Sequence, residues 1–248
     1  MNDPGLVLAL TGLFLLLAVL YSSVGQGGGS GYLAAMALLG VAPESFRLIA
    51  LTLNVVVASI GLVKFTRAGH FKGRLLLPFV LTSVPLALVG GYFSLPARVF
   101  RPLVGVALLW AAVLLIWRPP TPEGEVKGKP PLWASLSAGG GIGLLSGLIG
   151  IGGGIFLAPF LILRGWASAK TTACLSSAFI LVNSLAALVG VVLHAEEVPA
   201  LLPVWMAAVA LGGWLGAEFG ASRLSPKTLH WLLAAVLLIA GGKIILVG

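Results

Sequence analysis

Two glycine runs carry the chemistry that this sequence offers. Gly25-Gln26-Gly27-Gly28-Gly29 recurs 125 residues later as Gly150-Ile151-Gly152-Gly153-Gly154. Each run interrupts a long apolar stretch. Three consecutive glycines cost a helix about 1 kcal/mol each relative to alanine, so each run predicts a helix break. The helix that restarts after a break presents unpaired N–H groups and the positive end of its dipole. Glycine has no Cβ, so an anion can come close to those amides. In a bilayer a broken helix is tolerated where protein or a water-filled cavity satisfies the freed backbone groups. Paired breaks in two halves of a chain point to a transport site between them. Gly27, Gly28, Gly29, Gly152, Gly153 and Gly154 are therefore candidate substrate contacts.

The polar side chains of the apolar segments are almost all neutral. Ser22, Ser23, Gln26, Ser30, Asn54, Ser176, Ser177 and Asn183 complete the candidate binding set, and Thr52, Ser59, Ser146 and Ser184 are further buried-segment hydroxyls. Asn54 and Asn183 are the most costly to bury. Each could instead serve as an interhelical hydrogen bond, and the serines could bond back to their own helix. The positions 125 away from the two asparagines are Phe179 and Ala58, so at most one of them is expected to touch a substrate. Lys64, Glu218 and Lys243 sit near predicted helix ends, where they can snorkel to the interface. Glu44 and Arg47 read as a helix-start pair. His70, His194 and His230 read as loop or interfacial residues. His194, with Glu196 and Glu197, could form a proton-accepting outer vestibule, but the spacing is unlike a metal site. Cys174 is the sole cysteine, has small apolar neighbours and reads as packing. No catalytic constellation, metal site or cofactor motif is read from the chain.

The elements that must hold the glycine runs are membrane helices. Hydrophobic residues make up 59% of the chain and charged residues 9%, against about a quarter charged in soluble domains. Apolar runs of about 20 residues recur, each long enough to cross ~30 Å of hydrocarbon. The alternation of a β-barrel is missing. The net charge of +8 comes from short loops between apolar runs, which marks topology rather than nucleic-acid binding. The N-terminal Met1-Asn2-Asp3-Pro4 lacks the basic start of a signal peptide, so the first apolar run is read as part of the fold.

The repeat continues past the glycines at the same offset of 125. Gly40 meets Gly165, Ser59 meets Ser184, Leu77-Pro78 meets Leu202-Pro203, Gly91 meets Gly216 and Arg98 meets Arg223. A shared register of this kind predicts a duplicated half. The first repeat covers 1–117, with helical segments near 5–23, 28–40, 46–65, 75–94 and 98–117. A polar linker covers 118–131. The second repeat covers 132–248, with segments near 132–149, 153–164, 170–193, 199–219 and 227–247. The short second segment of each half is either re-entrant or the second piece of a broken pair.

With the N-terminus outside, the inner loops hold Lys64, Arg67, Lys72, Arg74, Arg118, Lys127, Lys129, Arg164, Lys170, Arg223 and Lys227. The outer side holds only Arg47, Arg98, Arg101 and Lys243. The positive-inside bias selects this orientation, with both termini outside. Each half then crosses an odd number of times, so the second is inverted relative to the first. The predicted fold is an all-α polytopic membrane protein of two inverted repeats, about five helical segments each, with Gly-rich helix breaks or re-entrant hairpins near the midplane.

A Gly-x-Gly-Gly-Gly run, a short apolar segment and then a Ser/Thr-Asn-rich helix, all duplicated, resembles the sulfite exporter TauE/SafE family, also described as 4-toluene sulfonate uptake permeases. The second copy, Gly150-Ile151-Gly152-Gly153-Gly154-Ile155-Phe156-Leu157-Ala158-Pro159, is the closer match. The first departs from it at Gln26 and Ser30-Gly31-Tyr32. The resemblance covers nearly the whole chain. It implies a transporter, an exporter by the family's name, that moves sulfite, sulfonates or related sulfur-containing anions across a bacterial-type cytoplasmic membrane. The expected partners are a small anionic substrate, the lipid bilayer and a coupling proton or sodium ion, since no nucleotide-binding signature is present. An anion channel or a permease for a different small anion is the alternative. An integral-membrane enzyme would need acids, bases or metal ligands within the membrane core, and the sequence offers few.

Overall fold

The computed structural model describes residues 4–41, 46–93, 130–193 and 198–220, with scattered positions between 96 and 128 and between 231 and 242. Among these residues the chain is helical, without strands. The first half holds α1 (Pro4–Ser23), α2 (Gly29–Leu38), α3 (Phe46–Arg67) and α4 (Gly73–Tyr92). The second holds α5 (Leu132–Ile149), α6 (Gly154–Leu163), α7 (Ala169–Val192) and α8 (Leu202–Glu218). Five of these, α1, α3, α4, α5 and α7, are long and apolar enough to cross a bilayer, while α6 and α8 are shorter apolar helices. The predicted segments 98–117 and 227–247, most of the linker 118–131, Glu44, His194, Glu196, Glu197, His230 and Lys243 lie outside the described residues, apart from isolated positions in the two segments.

The helix ends follow local chemistry. Ser168 caps α7 by accepting from the Thr171 amide. Gly150 ends α5 in the left-handed conformation and returns its N–H to Ser146 O, 2.8 Å away. Pro78 and Pro85 sit within α4, each removing one N–H from its hydrogen-bond ladder.

The halves are interleaved rather than side by side. α1 packs along α8, α4 packs along α5, and α3 packs on α7; α3 also meets α8 and α4 meets α7. Exchanging the halves turns α1·α8 into α5·α4 and α3·α8 into α7·α4, and leaves α3·α7 unchanged. The principal contacts are therefore the same from either half.

Glycines at every fourth residue make the two long pairings close. Gly139, Gly143 and Gly147 of α5 lie on the backbone of Phe79, Ser83 and Ala87 of α4. Gly212, Gly216 and Gly220 lie on that of Leu15, Val19 and Ser23 of α1. A Cβ at any of the six would collide with a carbonyl oxygen of the facing helix. In lipid, where no hydrophobic effect drives helices together, small residues at this spacing supply van der Waals contact instead. Around the first break, Phe14 stands edge-on to Tyr32 at 5.3 Å and to Trp205 at 5.5 Å between ring centroids. All three are fully buried.

Charged groups meet at helix ends. Lys64 of α3 pairs with Glu218 of α8 and lies 4.6 Å from the centroid of the Trp214 ring. Arg47, at the start of α3, donates to Phe93 O at 2.8 Å, Gly90 O at 3.1 Å, Gly91 O at 2.8 Å and Gly147 O at 2.8 Å. One guanidinium thus satisfies the carbonyl ends of both α4 and α5, where a cation also opposes the helix dipoles. Arg47→Gln is expected to lower the thermal midpoint of the purified protein. The loss should be at least the ~1.5–3 kcal/mol of one hydrogen bond to a charged group. Arg67→Gln, on the exposed last turn of α3, should shift it far less.

Candidate site at two facing helix breaks

The two glycine runs are breaks, and they touch. The first lies between α1 and α2, the second between α5 and α6. Gly25 and Gly150 have φ of 72° and 84°, and Gly28 and Gly153 have φ of 97° and 80°. These two equivalent pairs adopt a left-handed backbone that only glycine takes at little cost. Residues 21–36 and 149–155 are all buried. In the second break Phe156 and Leu157 both donate to Gly153 O. The amides of Gly154 and Ile155 precede the first intrahelical acceptor, and no side chain caps that end of α6.

Two amide side chains bridge the breaks. Gln26 of the first run donates to Gly154 O of the second at 3.3 Å. Asn54 of α3 donates through Nδ2 to Ile151 O at 3.0 Å. A Cβ built on Gly27 or Gly29 would strike the Asn54 amide, and one built on Gly152 would stand 3.1 Å from Asn54 Nδ2. Asn54 therefore sits between both runs, fully buried.

Four buried polar atoms at this junction have no hydrogen-bond partner: Asn54 Oδ1, Tyr32 Oη, Ser146 Oγ and Ser184 Oγ. Asn54 Oδ1 lies against Gly27. Tyr32 Oη is 2.6 Å from where a Gly28 Cβ would stand, and Ser184 Oγ is 2.8 Å from the corresponding point on Gly152. The Ser146 Cβ is 3.2 Å from the corresponding point on Gly153. An unsatisfied buried polar group costs about 1–3 kcal/mol, so four beside two helix breaks call for a functional explanation.

The remaining sequence-predicted residues divide by partner. Ser22 donates to Gly213 O at 2.8 Å and fastens α1 to α8, while Ser23 bonds back to Leu20 O at 2.7 Å. Ser30 pairs with the Tyr21 hydroxyl at 2.9 Å. Ser177 bonds both Gly25 O and Ala173 O at 3.1 Å, which ties the first break to α7. Ser176 Oγ is buried without a partner. Asn183 turns its amide onto Phe179 O of its own helix at 2.8 Å, and its Oδ1 has no partner. Of the two asparagines, Asn54 is the one the fold sets between the runs.

Tyr32, Ser146 and Ser184 are not among the binding residues that the sequence singles out. Ser146 and Ser184 were visible only as two hydroxyls among many, and Tyr32 only as a departure between the two copies. Arg47 read as the partner of Glu44, a residue outside those described. Its place beside the second break, with its Cγ 3.2 Å from a Cβ built on Gly150, depends on helices far apart in sequence. A single cation at the head of a neutral apolar segment was the signal available.

The sulfite exporter TauE/SafE family matches residues 9–244, and with them both breaks, Asn54 and all eight helices bar the first residues of α1. The chain belongs to that family. This TauE/SafE protein is a multi-pass membrane transporter. It is 38% identical over 235 residues to "Probable membrane transporter protein y4hK" of Sinorhizobium fredii, a match covering 94% of this chain and 95% of that protein. No solved structure matches it.

Proposed function

We propose that this transporter carries a small oxyanion, of the class of sulfite or an organosulfonate, across the cytoplasmic membrane in the export direction, and binds it where the two glycine breaks meet. The observation that carries the reading is the contact between the breaks, with four unpartnered buried polar atoms set around it. Helix N-termini and small-residue backbones suit an oxyanion; the two side chains that bridge the breaks, Gln26 and Asn54, are neutral, and the Arg47 guanidinium beside the second break is bonded to helix-end carbonyls. Charge compensation would then come from backbone amides and dipoles. The family's name supports sulfur oxyanions as the class. The two halves would lie inverted in the membrane and move against each other about the shared α3·α7 packing, driven by a proton or sodium gradient.

The test is uptake into proteoliposomes. Sulfite, sulfate, thiosulfate, methanesulfonate and taurine are offered under imposed proton and sodium gradients. Saturable, gradient-dependent uptake of at least one sulfur oxyanion is expected. Flux that does not saturate would mean a channel, and no flux of any of them would refute the substrate class.

The inverted arrangement has its own expected result. Cys174, the one native cysteine, is fully buried, so introduced cysteines can be labelled against a low background. Cysteines placed at 70 and 72 should react from the cytoplasmic side, and one placed at 196 from the outside. Labelling of both loops from the same side would rule out inversion.

A further inference from the structure

The four unpartnered polar atoms at the junction are not chemically alike. The Tyr32, Ser146 and Ser184 hydroxyls can each donate to an anion. Asn54 Oδ1 can only accept. Its orientation is set by the other half of the amide, because Nδ2 donates to Ile151 O at 3.0 Å. Flipping the amide would bring two carbonyl-type oxygens together. Oδ1 is thus held on the Gly27 side of the junction, on a residue 0% exposed and without a donor. A fully deprotonated oxyanion would satisfy the hydroxyls and the helix amides, but it would set a negative oxygen beside an unsatisfied carbonyl.

We propose that the transported species carries a hydrogen-bond donor of its own beside its anionic oxygens, and that Asn54 Oδ1 accepts from it. Candidate forms are a protonated monoanion such as hydrogen sulfite or a sulfonate bearing an adjacent N–H or O–H. The proposal rests on the proposed site and narrows its substrate class. It also offers a route to proton coupling. A proton that travels on the substrate needs no carboxylate or histidine at the junction, and none of the side chains found there titrates near neutral pH. The acceptor makes Asn54 a specificity residue, because rejecting an analogue that lacks a donor follows from leaving a buried acceptor unpaired.

Sulfamate and methanesulfonate separate the two cases. Both are monoanionic sulfonates of nearly the same shape, with NH₂ on sulfur in one and CH₃ in the other. Their affinities for the full chain in lipid nanodiscs are measured by calorimetry, with and without sodium. Sulfamate is expected to bind on the order of tenfold more tightly, and Asn54→Leu should bring the ratio close to one. The wild-type comparison holds even if the variant does not fold. Equal affinities in the wild type would overturn this inference and leave the anion site standing. A preference for sulfamate that survives Asn54→Leu would overturn it as well, since the donor would then be received elsewhere. So would methanesulfonate rising to match sulfamate when sodium is added, because a cation would then be filling Oδ1. Binding of neither ligand would count against the sulfonate site and this inference together.

Discussion

Gly154→Ala is expected to weaken anion binding about 10- to 100-fold while the protein remains folded. Gly154 opens α6 with an amide that has no intrahelical acceptor, and its φ is not in the left-handed region. An added Cβ would press on the outer side-chain atoms of Ile180 and stand 3.1 Å from Gln26 Oε1. The buried Ile180 must shift to admit it, but no backbone atom stands in the way, so the chain is expected to fold. The lost close approach to the amides should remove one charge-assisted hydrogen bond, worth roughly 1.5–3 kcal/mol. Gly28 and Gly153, at φ of 97° and 80°, are poorer choices, because alanine is strained there before any ligand is considered. Lys72→Ala, on an exposed loop, should change affinity little, and salt should screen that change. Binding isotherms on monodisperse protein decide the matter. Unchanged affinity in folded Gly154→Ala would show that the anion is held by side chains elsewhere.

Gly143→Leu and Gly216→Leu are expected to prevent or severely weaken folding, whereas Gly141→Leu should be close to neutral. Gly143 lies on the Ser83 backbone and Gly216 on that of Val19. Any side chain there must part α5 from α4 or α8 from α1. Overpacking into a movable core costs typically 1–3 kcal/mol. A rigid backbone on the far side yields less, so more than ~3 kcal/mol is expected for each. Gly141, two residues from Gly143 on the same helix, is exposed and has nothing within 4 Å of its Cβ position. Thermal unfolding followed by fluorescence-detected size exclusion would compare the three. If Gly143→Leu and Gly141→Leu melt together, the four-residue glycine spacing is not what sets the helix separation.

Some features of this protein follow from properties that act over a few residues. Hydrocarbon thickness turns apolar runs into helices, and α1, α3, α4, α5 and α7 lie within two or three residues of their predicted bounds. The cost of consecutive glycines places both breaks, and the shared register makes them equivalent. Even the matched left-handed positions, Gly25 with Gly150 and Gly28 with Gly153, are implicit in that register.

Which side chains meet at the breaks does not follow from local properties. Asn54 and Asn183 look interchangeable in the sequence, each an amide in an apolar helix one segment beyond a glycine run. Tertiary packing set Asn54 against Ile151 O and left Asn183 bonded to its own helix. The reason is rotational. A helix that is apolar nearly all round has no amphipathic stripe to say which face turns inward. The same holds for Gly139, Gly143 and Gly147. Their four-residue spacing is written in the chain, but that they meet Phe79, Ser83 and Ala87 is decided by how α4 and α5 cross. Arg47 is the limiting case, since its acceptors stand 43, 44, 46 and 100 residues away. Three of those acceptors close the end of α4 in the same half and the fourth, Gly147, belongs to α5 of the other, so the cluster exists only once α3, α4 and α5 have packed together.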